Sequence, residues 1–194
     1  YAKFDGHQTA LVRVSYAGEL GWEIHASPKV MPEIYNSLLK GGAKPFGMYA
    51  LDSLRLEKGY RAWKGDLSTD YTLLESGLDR FLRLEKPQGF PGKAALQREQ
   101  QQGVKKQFVT LIVEAGTSDA PYMSTLWFEG EVVGETTSGG WGHRIDQSIA
   151  FGMLRADLAE AGTEIEIEIF GERCKAIVQP DEPLWDPKNE RLRS

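Results

Sequence analysis

The chain has a single cysteine, Cys174, which excludes an internal disulfide and any cysteine-based metal cluster. A reduced compartment is the simpler setting for such usage. Histidine is scarce as well. His7, His25 and His143 stand far apart, in no HxH or HxxxH spacing, so no metal-ligand pattern forms. No apolar run approaches the roughly 18 residues of a membrane-spanning helix. Basic residues are not in excess. Lys and Arg number 23 against 28 Asp and Glu, a formal charge of −5, and a general nucleic-acid binder needs a basic footprint. The nucleophile elbow GxSxG, the phosphate-binding P-loop and the dinucleotide fingerprint GxGxxG are all missing, so neither serine hydrolysis nor nucleotide binding has a motif behind it.

What remains is ample for a folded protein. Of 194 residues, 41% are apolar and 10% aromatic, enough to bury a sizeable core and too apolar for a disordered tail. Ala10–Val14 and Trp22–His25 read as two strands of a hairpin with a tight connection through Gly18 and Gly21. Ser27-Pro28 offers a helix start. Val30, Ile34 and Leu38 repeat at helical spacing, and Gly41-Gly42 closes that helix. Met48–Lys58 is a second helical stretch stopped by Gly59. Tyr60–Asp70, dense in aromatics and charge, reads as a loop, where function concentrates. Gly77–Leu84 reads as a strand and Pro91–Gln102 as a helix.

Beyond Gly103 the pattern changes. Phe108–Glu114, Thr125–Glu129, Glu131–Thr137, Ser148–Leu154, Glu164–Ile169 and Glu172–Val178 are short and β-prone, separated by turns of Gly, Asp and Pro. Ile165, Ile167 and Ile169 alternate with Glu164, Glu166 and Glu168, the signature of a half-buried strand. Glu129-Gly130-Glu131 and Phe170-Gly171-Glu172 read as hairpin turns. Ser138–Gly142 reads as a glycine-rich loop where backbone approaches something closely. Six such strands predict a small antiparallel barrel or sandwich. The chain therefore divides into an α+β segment over 1–103 and an all-β module over 104–194.

Two clusters carry candidate chemistry. In Tyr16-Ala-Gly-Glu-Leu-Gly-Trp-Glu23 the turn brings a phenol and a carboxylate to the ends of one hairpin. A carboxylate accepts through both oxygens and so suits the N–C–NH₂ edge of a polar heterocycle. A packed Tyr and a solvated Glu fit the same residues. In Asp52-Ser-Leu-Arg55-Leu-Glu57-Lys58-Gly59-Tyr60-Arg61-Ala-Trp63-Lys-Gly65-Asp66, Arg55 and Arg61 suit a ligand carboxylate, and Trp63 suits stacking on a flat ring. Ion pairs along the helix, such as Asp52 with Arg55, account for the same spacing.

These clusters resemble a known family. Tyr16–Ile24 looks like the Y-[ST]-G-E-x-G-[WVFY]-E-[IL] motif of the glycine-cleavage T-protein family, which includes aminomethyltransferases and the folate domains of sarcosine and dimethylglycine dehydrogenases. Ala50–Gly59 is similar to A-x-[DN]-[ST]-L-R-x-E-x-G. Tyr60-Arg-Ala-Trp63-x-x-Asp66 resembles the F/Y-R-x-W-x-x-D of the dehydrogenase-type branch. Glu75–Leu78, Phe90–Lys93, Val133–Gly140 and Gly171–Val178 fall in the family's order, so the resemblance spans about Val12 to Val178.

The resemblance implies an α+β, T-protein-like fold lacking its first domain, followed by a small antiparallel β-barrel. It implies tetrahydrofolate as cofactor, with a flavin only where an upstream oxidoreductase domain exists. The activity implied is transfer of a methylene unit from a small methylated amine to tetrahydrofolate, in a bacterial cytoplasm or a mitochondrial matrix. By analogy Tyr16 contacts the pterin region, Glu23 accepts from the pterin's amino edge, Arg55 supports the site from behind, and Trp63 belongs to the same cofactor site. Leu51 stands where T-proteins usually carry an Arg. Tyr122 stands near the place of another, in Ala120–Ser124. Both departures favour the dehydrogenase-type branch.

The family's acid/base Asp lies upstream of the Tyr motif. Asp5 is the sole acid among the fifteen residues before Tyr16, and its surroundings do not resemble that motif, so no catalytic residue is assigned. The chain opens at Tyr1 rather than Met, and the expectation is the C-terminal piece of a longer protein. Such a piece is expected to associate with its first domain or with itself. A non-catalytic folate-binding or regulatory module, and a purely structural or interaction domain, are the alternatives.

Overall fold

A computed structural model describes residues 1–4 and 6–193; Asp5 lies outside the described residues. The first part of the chain is a three-stranded antiparallel sheet, β1 (Ala2–Phe4), β2 (His7–Val12) and β3 (Glu23–His25), in that order. The predicted pairing of the first two apolar stretches holds, with Ala10 opposite His25 and Val12 opposite Glu23. The connection is not tight, however. Residues 13–22 form an open loop, because its glycines bend the chain toward other elements rather than closing a two-residue turn.

Helix α1 (Met31–Lys40) starts later than Ser27-Pro28 suggests, since Ser27 through Val30 form a preceding turn. Val30 and Ile34 are buried, whereas Leu38 on the same stripe is exposed. Gly42 ends the helix in the left-handed region at φ 94°. Helix α2 (Met48–Glu57) is followed by Gly59 at φ 68°, as its sequence predicts. Gly77–Leu84 is not a strand. It is a turn with one short 3₁₀ helix at Asp79–Phe81, and Leu78 and Phe81 bond back to Leu73 and Leu78 instead of to a neighbouring strand. Helix α3 (Lys93–Gln102) then leads to the second part.

Six strands close a barrel: β4 (Lys106–Val113), β5 (Thr125–Phe128), β6 (Glu131–Gly142), β7 (Gln147–Arg155), β8 (Glu164–Ile169) and β9 (Glu172–Val178). Their order is β4-β7-β6-β5-β8-β9, and β9 pairs back onto β4, so no edge is left open. Leu111, Leu126, Ala150, Leu154, Ile167 and Val178 fill the interior. The alternation in β8 is obeyed, with Ile165, Ile167 and Ile169 buried. The turns at 129–130 and 170–171 have φ above zero at both positions, the left-handed geometry that matches strand twist.

Two features position the site. Residues 148–154 of β7 are buried on both faces. Ala150 and Leu154 point into the barrel, while Ile149, Phe151 and Met153 join Leu56 of α2 and Phe108 in a second apolar cluster. Helix α2 thus lies on the barrel wall. Ser138–Gly142 is not a loop but the continuation of β6. The close approach expected there is real. A Cβ on Gly139 would fall 2.0 Å from the Ala120 carbonyl oxygen, and one on Gly140 would fall 3.1 Å from Leu56 Cδ1. The glycines serve an inter-element contact within a strand rather than a turn.

Candidate functional site

The site is built where the C-terminal end of α2 and the loop 58–70 meet β6. Arg55 projects from α2 and is 5% exposed; Asp66 is fully buried. Arg55 Nη1 donates to Asp66 Oδ2 at 2.8 Å, and Arg55 Nη2 donates to Ser138 Oγ at 2.8 Å. Asp66 Oδ1 accepts from Ser138 Oγ at 2.8 Å and from Thr137 Oγ1 at 2.5 Å. Asp66 Oδ2 also accepts from the Ala62 amide at 2.7 Å, which pins the loop on itself. The ion pair from Arg55 Nε to Asp52 at 3.2 Å, anticipated from the i,i+3 spacing, is present. A buried carboxylate that accepts four such bonds is held in one place.

Tyr16 is carried onto this base by the loop before β3. Its hydroxyl donates to the Arg61 carbonyl oxygen at 3.0 Å, and its ring stacks on Tyr60 with centroids 6.0 Å apart. Burial raises its pKa; the charge of Arg55 works in the opposite sense, and Asp66 and Asp52 add to the rise. Tyr16 therefore stays a neutral phenol with part of its ring open to solvent. Trp63 is 69% exposed. Its backbone bridges to Leu67, and Lys64 beside it takes φ 73°, so the loop turns the indole outward.

Glu23 is placed differently. It stands in β3, more than half exposed, with His25 Nε2 at 3.2 Å as its partner. Its described contacts do not include Tyr16, Arg55 or Trp63. The structure thus joins Tyr16, Arg55 and the Trp63 loop directly and leaves Glu23 on the adjoining sheet.

The residues after Arg55 anchor the surrounding chain. Lys58 is buried, and its Nζ donates to the Asp186 carbonyl at 2.7 Å and to Asn189 Oδ1 at 2.9 Å. Gly18 lies directly on that side chain: a Cβ there would fall 2.3 Å from Lys58 Cγ, and its φ is +73°. This is the physical need for glycine in the Tyr16–Glu23 turn. Glu57, also buried, accepts from the Arg144 amide at 2.5 Å, and Arg144 stacks on Trp185 at 3.8 Å. Glu19 accepts from Arg144 Nη2 at 2.8 Å.

The sequence does not single out Asp66, Glu57 and Lys58 as site residues. The signal for Asp66 was its spacing after Trp63; nothing local marked it as the partner of Arg55. Arg61 was read as a binder beside Arg55. In the structure the two diverge: Arg55 is saturated by Asp66 and Ser138, while Arg61 turns to the opposite side, over Phe108 at 3.9 Å. Among the described residues no group of three or more His, Cys, Asp or Glu is arranged to hold a metal ion.

Two family models match the chain, the GCVT N-terminal domain over residues 1–86 and the glycine cleavage T-protein C-terminal barrel domain over residues 106–186. Mitochondrial dimethylglycine dehydrogenase of Rattus norvegicus is 37% identical over 187 residues, which is 94% of this chain and 22% of that protein. An aminomethyltransferase of Rippkaea orientalis is 34% identical over 87% of this chain and 45% of its own length. Among solved structures, the glycine cleavage system aminomethyltransferase T from Bartonella henselae superposes with a TM-score of 0.83 at 27% identity, covering 91% of this chain and 50% of that one. The chain therefore spans less than a quarter of the dehydrogenase and half or less of the aminomethyltransferases.

Proposed function

Because the chain belongs to the glycine cleavage T-protein family, we propose that it supplies the folate-facing side of a one-carbon transferase, passing a methylene unit from a small methylated amine to tetrahydrofolate. The observation that carries this reading is the Tyr16–Arg61 bond. It ties a phenol ring, stacked on Tyr60, to the loop that carries the outward-facing Trp63 and is pinned by the Arg55–Asp66 pair. A flat heterocycle suits the aromatic faces of Tyr16 and Trp63, and Glu23, exposed on the adjoining sheet, offers a carboxylate for donors at its edge. Tetrahydrofolate supplies the nucleophilic nitrogen that accepts the one-carbon unit. The residues here bind and orient; residues 1–103 form the folate-facing part and 104–194 the barrel that braces it.

Positioning is the role the geometry favours, because Asp66, the buried carboxylate beside Arg55, is engaged on both oxygens. Asp66 accepts four bonds, and Glu57 is capped by the Arg144 amide. Asp66 is fully engaged, whereas Glu57 keeps one oxygen, Oε2, without a hydrogen bond among the described residues and 3.8 Å from Arg144 Nε. The acid/base group of the reaction would then lie outside this set, in a first domain with which the chain associates. The same observation favours a second reading, a folate-binding or regulatory module that performs no transfer. A flavin has no residues assigned to it here.

Calorimetric titration with 5-formyltetrahydrofolate tests the proposal. Glu23→Gln is expected to weaken binding by about 1–3 kcal/mol, the usual value of a charged hydrogen bond, with Tyr16→Phe smaller. No binding by this chain, alone or joined to a first domain of the family, would sink it. Binding without transfer in the joined protein would favour the second reading.

A further inference from the structure

Lys58 stands between two segments far apart in sequence. Its aliphatic stem is the surface on which the loop 13–22 turns: a Cβ on Gly18 would fall 2.3 Å from Lys58 Cγ and 2.7 Å from Cδ. Its ammonium is engaged by the segment that follows the barrel. Nζ donates to the carbonyl oxygens of Trp185 at 3.3 Å and Asp186 at 2.7 Å, and to Asn189 Oδ1 at 2.9 Å. An ammonium has three N–H donors, so residues 185–189 answer all of them. Asp186 Oδ2 adds its charge at 3.5 Å, and the lysine side chain is fully buried. Asp186 and Asn189 take φ 48° and 57°, left-handed positions that these residue types tolerate. The segment curls there around the ammonium.

The loop and this segment also hold each other directly. The Leu20 amide donates to the Arg191 carbonyl at 3.1 Å. Glu19 accepts from Arg191 Nε at 3.2 Å through Oε2 and from Arg144 Nη2 at 2.8 Å through Oε1. Arg144 in turn stacks on Trp185, whose amide donates to the Glu57 carbonyl at 3.0 Å. The same loop carries Tyr16 onto Arg61 and Tyr60. A loop outside the strand ladder takes its position from such ties.

We propose that Lys58 is a positioning residue: by anchoring residues 185–191 it closes a clasp over the loop 13–22 and so fixes where the Tyr16 ring stands. The segment after the barrel then belongs to the binding machinery. The clasp stands on the contacts above; its consequence for a ligand rests on the folate reading.

Exchange of the Leu20 amide and the ring cross-peaks between Tyr16 and Tyr60, followed by NMR in the labelled full chain, test the clasp without a ligand. Two variants enter it from opposite sides. Lys58→Met keeps an unbranched apolar stem under Gly18 and removes the ammonium. Glu19→Ala, at a residue 34% exposed, cuts the side-chain ties to Arg144 and Arg191. Each is expected to speed exchange at Leu20 about tenfold relative to the amides of β4 and β7, and to weaken the cross-peaks. Unchanged exchange and cross-peaks, or an acceleration at Leu20 no greater than that of the barrel amides, would overturn the clasp and leave Lys58 as a residue of general stability. If Lys58→Met does not fold, Glu19→Ala decides alone.

Calorimetry with 5-formyltetrahydrofolate, on the chain alone or joined to a first domain of the family, tests the consequence. Lys58→Met is expected to weaken binding several-fold in the parent and hardly at all in a Tyr16→Ala background, because Lys58 acts through Tyr16. An equal loss in both backgrounds would overturn the positioning role. A parent that binds no folate in either form would sink the folate reading instead, and exchange and cross-peaks would still decide the clasp.

Discussion

Arg55 and Asp66 meet at 2.8 Å with neither side chain in contact with bulk solvent to any useful degree, and Ser138 bridges them by donating to Asp66 while accepting from Arg55. This triangle fastens α2, the site loop and β6 to one another. Removing one partner leaves the other charge buried and uncompensated, a cost of about 3–5 kcal/mol. Asp66→Ala and Arg55→Met are each expected to lose stability on that scale in urea unfolding. The double variant should lose clearly less than the sum. Full additivity would mean that the pair is not coupled.

Trp63 should behave in the opposite way. Its indole is 69% exposed, so Trp63→Ala is expected to leave the melting temperature nearly unchanged. If the indole stacks on a bound heterocycle, the same change should weaken 5-formyltetrahydrofolate binding by about 0.5–1.5 kcal/mol. Calorimetry and a thermal melt on one preparation separate the two effects. Unchanged affinity would remove Trp63 from the site.

The barrel was readable from residue pattern because its physics is local: period-two alternation in β8 and glycine turns at 130 and 171 announce strands and their ends. Motif singles out Tyr16 and Arg55, and both are tied to the site loop. The strand expected at 77–84 failed because its apolar residues find partners within the turn itself. Ser138–Gly142 failed for a different reason. Glycine there answers contacts from Ala120 and Leu56, residues distant in sequence, and no local pattern distinguishes that need from a turn. The saturation of Arg55 and the seating of Arg61 over Phe108 are likewise decided by Asp66, Ser138 and Phe108, which only the folded chain brings near.

The glycines of β6 allow a graded check. A Cβ on Gly139 would fall 2.0 Å from the Ala120 carbonyl oxygen, and one on Gly134 would fall 2.1 Å from that of Met153, both rigid backbone. Gly139→Ala and Gly134→Ala should each cost about 1–3 kcal/mol through backbone displacement. At Gly140 the nearest atom is a Leu56 side-chain carbon at 3.1 Å, which can yield, so that substitution should cost less. Gly116 has nothing within 4 Å, and its alanine variant should fall within about 0.5 kcal/mol of the parent. Chemical denaturation of the four variants would expose any departure from this order.

Tyr71 gives a pH dependence with a definite sign. Its hydroxyl donates to Glu135 Oε1 at 3.1 Å. Burial first, then the Glu135 charge and hydrogen bond, push its pKa up to about 12. Unfolding returns it to about 10, so above that pH the unfolded chain releases a proton the folded chain keeps. The contribution is whole below pH 10 and is lost as pH rises toward 12. Absorbance titration at the phenolate band should lose a late-ionising component in Tyr71→Phe, with the raised Tyr16 and Tyr60 still present. A parent and variant with the same alkaline loss of stability would contradict the assignment.

The apolar surface of the first part bears on how the chain behaves alone. Among residues 1–50, Val30 and Ile34 are the large apolar side chains that reach full burial, while Leu11, Val12, Trp22, Tyr35, Leu38, Phe46, Met48 and Tyr49 are exposed. A cleft lined by Phe4, Leu11, Ile24, Ile34 and Leu38 opens between the sheet and α1. Apolar area on this scale seeks cover, and the purified chain is expected to self-associate in proportion to concentration. Light scattering coupled to size exclusion should show a mass above 21.7 kDa. Leu11→Glu with Leu38→Glu should return the chain to its monomer mass, because charge on both walls of the cleft opposes burial against a second copy. A parent chain that elutes as a monomer at high concentration would show instead that this surface is stable in water.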